Sequence, residues 1–264
     1  MLKITDLHKT FNGGTVNEKK ALAGLSLTLQ EGDFVTVIGG NGAGKSTMLN
    51  AIAGVFMPDE GVIEIDGIDV TSLPEYKRAK YLGRVFQDPL MGTAPDMEIA
   101  ENLAIARRRG TRRGLRWGLP RAEREGYREL LAELGLGLED RLSSKVGLLS
   151  GGQRQAITLL MATINKPKLL LLDEHTAALD PKTAATVLEI TDRIVKENNL
   201  TTIMITHNMR DAIKHGNRLI MLHEGRVIID VRGEEKQKLT VEDLLAMFAR
   251  ASGDEFSSDR AILS

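Results

Sequence analysis

The stretch Phe34-Val35-Thr36-Val37-Ile38-Gly39-Gly40-Asn41-Gly42-Ala43-Gly44-Lys45-Ser46-Thr47 decides the fold. Five apolar or β-branched residues, 34–38, read as a buried strand. The glycines that follow let the backbone curl until its N–H groups point into one hollow. Residues 46–53 read as a helix whose N-terminus adds its positive dipole end to the same place. Strand, glycine-rich turn and helix together make a phosphate loop. Gly39, Asn41, Gly42, Ala43, Gly44, Lys45, Ser46 and Thr47 are its nucleotide-binding candidates. Lys45 is expected to bridge the β- and γ-phosphates, and the Ser46 hydroxyl to ligate Mg²⁺. A chance lysine in a glycine-rich turn would leave the strand-to-helix context unexplained.

Outward from this loop, short β-branched and aliphatic runs predict strands at 25–29, 62–65, 82–86, 169–173, 202–205, 219–222 and 227–231. Helical patterns follow several of them, notably 182–197 behind Asp180-Pro181. This alternation implies an α/β fold with a mostly parallel sheet. The early strands have no helices between them and are expected to form a small antiparallel β layer. Residues 91–165 carry helix signal and almost no strand signal. The chain is therefore expected to be one domain: a core over 1–90 and 166–232, an inserted helical subdomain over 91–165, and a C-terminal helix and tail over 233–264. Within that polar tail, 241–251 reads as an amphipathic helix, after which the chain is expected to fray.

Four further motifs follow the loop in a fixed order: Val85-Phe86-Gln87-Asp88; Leu149-Ser150-Gly151-Gly152-Gln153; Leu169-Leu170-Leu171-Leu172-Asp173-Glu174 with Ala178-Leu179-Asp180; and Ile203-Met204-Ile205-Thr206-His207. A buried strand ending in Asp173 delivers a carboxylate to the phosphates without a flexible tether. Asp173 is expected to hold Mg²⁺, and Glu174 to orient and polarise an attacking water. Ser150 and Gln153 match a capping box at the start of a helix over 153–164.

With these motifs the chain resembles the ATP-binding-cassette (ABC) ATPases over roughly residues 1–232, and the Leu-Ser-Gly-Gly-Gln segment is the most specific part of the match. The resemblance implies a P-loop ATPase core, ATP and Mg²⁺ as ligands, and ATP hydrolysis coupled to transport. It implies an ATP sandwich between two copies of the chain, in which Ser150, Gly151, Gly152 and Gln153 of one copy face the phosphate loop of the other. Gln87 would touch Mg²⁺ and the attacking water, and His207 would hydrogen-bond the γ-phosphate. Asp180 would link the two sites of the dimer. Phe11 stands where the family places an aromatic that stacks on adenine, although a core Phe beside the first strand is the competing reading. Two positions depart from the usual pattern: His175 stands where many relatives have Pro, and Gly40 where Pro or Ser is common. The segments 38–42 and 173–184 look like a subgroup of importer ATPases paired with binding proteins often assigned to tryptophan or tyrosine.

Bulk properties narrow the partners. The chain has 264 residues, with 35 Lys and Arg against 36 Asp and Glu, so no charge excess argues for nucleic acid. It has no cysteine, which excludes disulfides and thiolate metal sites. No signal peptide is expected ahead of the first strand pattern. No apolar run approaches the ~20 residues of a membrane span. The expected partners are a second copy, an integral membrane permease on a separate chain and, indirectly, a substrate-binding protein. The expected location is cytoplasmic, at the inner face of the membrane. The basic run Arg107, Arg108, Arg109, Arg112, Arg113 and Arg116, with Trp117, is either a solvated loop or a contact to anionic headgroups or acidic permease loops. A soluble ABC ATPase acting in macromolecular assembly or repair is the alternative. Its repair form is disfavoured by the lack of a long coiled coil and of cysteines. A P-loop kinase or GTPase leaves the Leu-Ser-Gly-Gly-Gln segment unexplained.

Overall fold

The structure, a computed structural model, describes residues 1–111 and 119–252. A hairpin of β1 (Leu2–Phe11) and β2 (Lys19–Leu29) opens the chain. Strand β3 (Phe34–Ile38) then leads through the glycine loop into α1 (Lys45–Ala53), and β4 (Glu60–Ile65) and β5 (Ile68–Asp69) return to the hairpin. These strands form an antiparallel sheet of order β2-β1-β4-β5. The expected strand at 25–29 is the end of the longer β2, and β1 is a full strand. Its apolar alternation slips between Ile4 and Leu7, where a bulge puts Asp6 at φ 48°.

After the short α2 (Glu75–Arg78) comes β6 (Leu82–Val85). Helices α3 (Ile99–Arg107), α4 (Arg121–Leu134) and α5 (Gly151–Thr163) precede β7 (Leu169–Asp173). Then follow α6 (Pro181–Glu197), β8 (Thr201–Ile205), α7 (Met209–Lys214), β9 (Arg218–His223) and β10 (Arg226–Arg232). The second sheet has the order β10-β9-β3-β8-β7-β6. Its pairs are parallel except for the edge pair β9–β10. The α/β architecture with an antiparallel layer is thus the one expected.

Strand β7 shows why this sheet is apolar throughout. Leu169 and Leu171 enter a core shared with the antiparallel sheet and α1, while Leu170 and Leu172 enter a second core with α3, α4, α5 and α6. A strand covered on both faces loses alternation and reads as one apolar run. The helices between β6 and β7 therefore share a core with the sheet through Val85, Leu170, Leu172 and Met204.

Beyond Arg232 two helices follow, and the fraying expected after them lies outside the described residues. Helix α8 (Gly233–Lys238), absent from the sequence expectation, buries Lys236, whose ammonium donates to the carbonyls of His215 and Gly216. Helix α9 (Val241–Ser252) buries Leu244 in a third cluster with Ile38, Met209, Leu219 and Met221. Ile38 immediately precedes the glycine loop, so α9 braces the sheet beside that loop.

Candidate functional site

The loop at 39–44 is held open by its own glycines and by neighbouring backbone. Gly39 and Gly44 have φ of 152° and 101°, and a Cβ on them would lie 2.3 Å from the Leu222 carbonyl oxygen and 2.6 Å from that of Ala21. Gly225, in the β9–β10 turn, donates its N–H to the Ala43 carbonyl at 3.0 Å. Helix α1 begins at Gly44 with no side-chain cap, which leaves its first N–H groups to a ligand. Lys45 is 8% exposed and donates to the carbonyls of Gly39 (2.6 Å) and Gly40 (3.2 Å). Its ammonium is thus folded over the loop it belongs to. Burial lowers its pKa, and the Glu174 and Asp173 carboxylates pull it back up. Ser46 is exposed and Thr47 half-buried at the start of the same helix.

Parallel strands bring the acidic residues to the same end of the sheet. Asp173 closes β7 beside β8. Burial raises its pKa; the Arg84 guanidinium opposes this, Glu174 adds to it and Lys45 opposes it. Glu174 takes the left-handed conformation, φ 44°, which costs a non-glycine residue roughly 1–2 kcal/mol. Its N–H donates to the Ile205 carbonyl at 3.1 Å and its carbonyl accepts from the Ala177 N–H at 3.0 Å. The twisted backbone leaves the carboxylate 3.6 Å from His207 Nδ1. Lys45, Asp173, Glu174 and His207, distant in sequence, therefore share one site.

The remaining predicted residues sit on other elements. Gln87 is exposed at the end of β6, and its neighbour Asp88 caps a 3₁₀ turn, Pro89–Gly92, accepting from the Leu90 N–H at 2.8 Å. Phe11 packs edge-on to Phe56, with ring centres 5.3 Å apart, and stays half-exposed at the end of β1. Ser150 caps α5, its hydroxyl accepting from the Gln153 N–H, and the Gln153 amide oxygen accepts from the Ser150 N–H, both at 3.3 Å. Among the described residues no hydrogen bond joins Ser150 or Gln153 to the phosphate loop. Gly151 and Gly152 instead lie against α6 and the turn before it: a Cβ on each would meet Leu179 at 3.1 Å and Thr183 at 2.1 Å. Asp180 caps α6 by accepting from the Thr183 N–H at 3.1 Å.

His175 is buried and hydrogen-bonded to Thr191 Oγ1 at 3.1 Å. That hydroxyl gives its proton to the Val187 carbonyl, so the imidazole donates from Nε2. Burial, with a smaller contribution from His215, lowers its pKa to about 4. Of the basic run, Arg108 pairs with Glu123 at 2.9 Å and Arg109 donates to the Ala162 carbonyl at 3.2 Å, so both serve the fold. Arg112, Arg113, Arg116 and Trp117 lie outside the described residues.

Arg84, its partner Asn50, and Gln155 were not singled out in the sequence. Arg84 lies 3.7 Å from Asp173 and donates to Asn50 Oδ1 at 2.6 Å. Gln155 of α5 donates to the Phe86 carbonyl at 3.4 Å, tying the strand end before Gln87 to the helix that Ser150 caps. The one sequence sign was an arginine inside the apolar strand pattern at 82–86.

Among the described residues no cluster of three or more His, Cys, Asp or Glu side chains could hold a metal. The Ser46 hydroxyl and Asp173 carboxylate at the phosphate loop, and the Gln87 amide just past β6, are hard oxygen donors. That set fits Mg²⁺, which binds through one or two carboxylates plus substrate phosphates. No helix among the described residues is long and apolar enough to cross a membrane.

Comparison with known proteins gives one consistent result. Residues 22–177, more than half of the chain, match the ABC transporter family. The chain is 47% identical over 251 residues to a tyrosine transport ATP-binding protein of Clostridioides difficile, covering 95% of this chain and 100% of that one. It is 34% identical over 250 residues to a xylose/arabinose import ATP-binding protein of Sulfolobus acidocaldarius, covering 94% and 95% of the two chains. Among solved structures, a dimeric post-hydrolysis state of an ATP-binding cassette bound to ADP and Pi superposes with a TM-score of 0.75. It is 31% identical and covers 88% of this chain and 98% of that chain.

Proposed function

The chain belongs to the ABC transporter family as its ATP-binding and ATP-hydrolysing subunit, and from that premise we propose that it powers uptake of a solute, an aromatic amino acid, through a separate permease. The observation that carries the chemical part is the meeting of Lys45, Asp173, Glu174 and His207 at one end of the sheet. The solute class is supported by the full-length similarity to a tyrosine transport subunit.

In this reading the loop N–H groups and Lys45 bind the triphosphate, and Phe11 stacks on the adenine. Ser46, Asp173 and Gln87 would hold Mg²⁺, which would supply positive charge to the phosphates. Lys45 exchanges its bonds to Gly39 and Gly40 for phosphate oxygens, which lowers the cost of keeping a buried ammonium. Glu174 accepts a proton from, and orients, the attacking water. His207 bonds the γ-phosphate and steadies Glu174 across 3.6 Å. Ser150 and the N–H groups at the start of α5 serve the γ-phosphate of a second copy, which makes the working unit a two-fold dimer. Asp180 joins the two sites.

The core at 1–90 and 166–232 then holds nucleotide, and the helical segment at 91–165 meets the permease. Exposed apolar side chains in this segment suit such a contact: Met91 is 70% and Leu148 73% exposed. The turns that carry them adjoin, since the Gly147 N–H donates to the Pro95 carbonyl at 2.8 Å. A permease anchors the chain at the inner face of the membrane, and a substrate-binding protein presents the solute from outside. Affinity purification from detergent-solubilised membranes tests this. It should recover an integral membrane permease and a binding protein that takes up tyrosine or tryptophan. Recovery of soluble assembly or repair factors without a permease would contradict it.

A further inference from the structure

Arg84 is the one charged residue inside the apolar pattern of β6, and its side chain is 14% exposed. Its surroundings are specific. One terminal nitrogen, Nη2, donates to Asn50 Oδ1 at 2.6 Å and lies 3.7 Å from Asp173 Oδ2. The guanidinium lies 4.5 Å over the Phe86 ring, on the residue before Gln87. Its Nε is buried with no hydrogen-bond partner. A buried donor without a partner costs stability, and an apolar side chain of similar shape would avoid that cost. Stability alone therefore does not account for an arginine here.

What the arginine does is join three separate elements at the site. Asn50 stands four residues after Ser46 in α1, so the two occupy the same face of that helix, one turn apart. Asp173 ends β7, the neighbour of β6 in the sheet. We propose that Arg84 is a positioning residue: it braces α1 against β7 through Asn50 and Asp173, and so sets the spacing between the Ser46 hydroxyl and the Asp173 carboxylate. The inference rests on the reading that these two oxygens take the metal that arrives with the nucleotide. Arg84 itself touches neither metal nor substrate. Its stacking on Phe86 fixes the chain just before Gln87, the third oxygen donor.

The test separates metal affinity from nucleotide affinity. Mn²⁺ serves as a paramagnetic probe, titrated into the full chain with a non-hydrolysable ATP analogue and followed by electron paramagnetic resonance. Arg84→Met, which keeps length without charge or donors, should weaken Mn²⁺ binding by about tenfold or more, the usual cost of losing a group that orients a metal ligand. Binding of the same analogue in EDTA should stay within about twofold of the parent, because the loop and Lys45 are intact. Arg84→Lys keeps the charge and should recover part of the Mn²⁺ affinity. Asn50→Ala cuts the brace from the helix side and should show the same selective loss, whether or not Arg84→Met folds. Unchanged or tighter Mn²⁺ binding in Arg84→Met or Asn50→Ala would overturn the proposal. So would an equal loss with and without metal. If the parent itself shows no nucleotide-dependent Mn²⁺ signal, the metal-site reading falls, and this inference with it.

Discussion

Glu174 is held in a backbone conformation that its own side chain disfavours, and the residue after it supplies part of the hold. His175 is fixed to Thr191 of α6 as a neutral imidazole. The titratable group facing this imidazole is His215, whose Nδ1 is hydrogen-bonded to Asp192 Oδ2 at 2.7 Å. With a pKa of about 4 in the fold, against about 6.5 in the unfolded chain, His175 takes up its proton more readily when unfolded. The stability it confers is complete above pH 6.5 and is lost as pH falls toward 4, about 3 kcal/mol in all. Urea titrations at pH 7 and 4.5 should show that loss in the parent, and His175→Gln should flatten it. An equally steep dependence in the variant would contradict this account. Lys45, Asp173, Glu174 and His207 were legible in the sequence because each sits within a contiguous motif. Arg84 and Thr191 were not, because their partners are set by packing between distant segments.

At the scale of elements, the glycines of the Ser150 segment have a packing role beside the proposed phosphate contact. Gly152 lets the first turn of α5 lie against Thr183 in the first turn of α6, the helix capped by Asp180. A methyl group at Gly152 would overlap Thr183 Cγ2 at 2.1 Å. Gly152→Ala should therefore cost about 1–3 kcal/mol by overpacking. Thr183→Ser, which removes the clashing methyl, should restore most of it in the double variant. Chemical denaturation of the four proteins of this cycle measures the coupling. Additive effects would show that the two helices are not in this contact. Elements with clean periodicity were legible, such as α6 and β7. The first strand was legible at its start, but not in its full length to Phe11, because the bulge at Asp6 shifts the alternation by one residue. Helix α8 escaped because its sequence, Gly-Glu-Glu-Lys-Gln-Lys, is polar and its buried contact is made by a lysine.

For the whole molecule, the α/β class and the antiparallel layer followed from the strand and helix pattern, whereas the order β10-β9-β3-β8-β7-β6 did not. Pairing between strands far apart in the chain leaves no local trace. The same limit applies between copies: Ser150 makes its bonds within its own helix, and its proposed ligand belongs to a second chain. The central claim is that two copies close on two ATP molecules and that Glu174 opens them again by driving hydrolysis. Glu174→Gln keeps shape and hydrogen bonding but cannot take the water's proton. The most direct measurement is light scattering on size-exclusion chromatography of Glu174→Gln with ATP and Mg²⁺, combined with nucleotide content and turnover. The account predicts a stable dimer carrying two ATP, with turnover reduced about 10²-fold or more. A monomer under those conditions, or near-normal turnover, would contradict it.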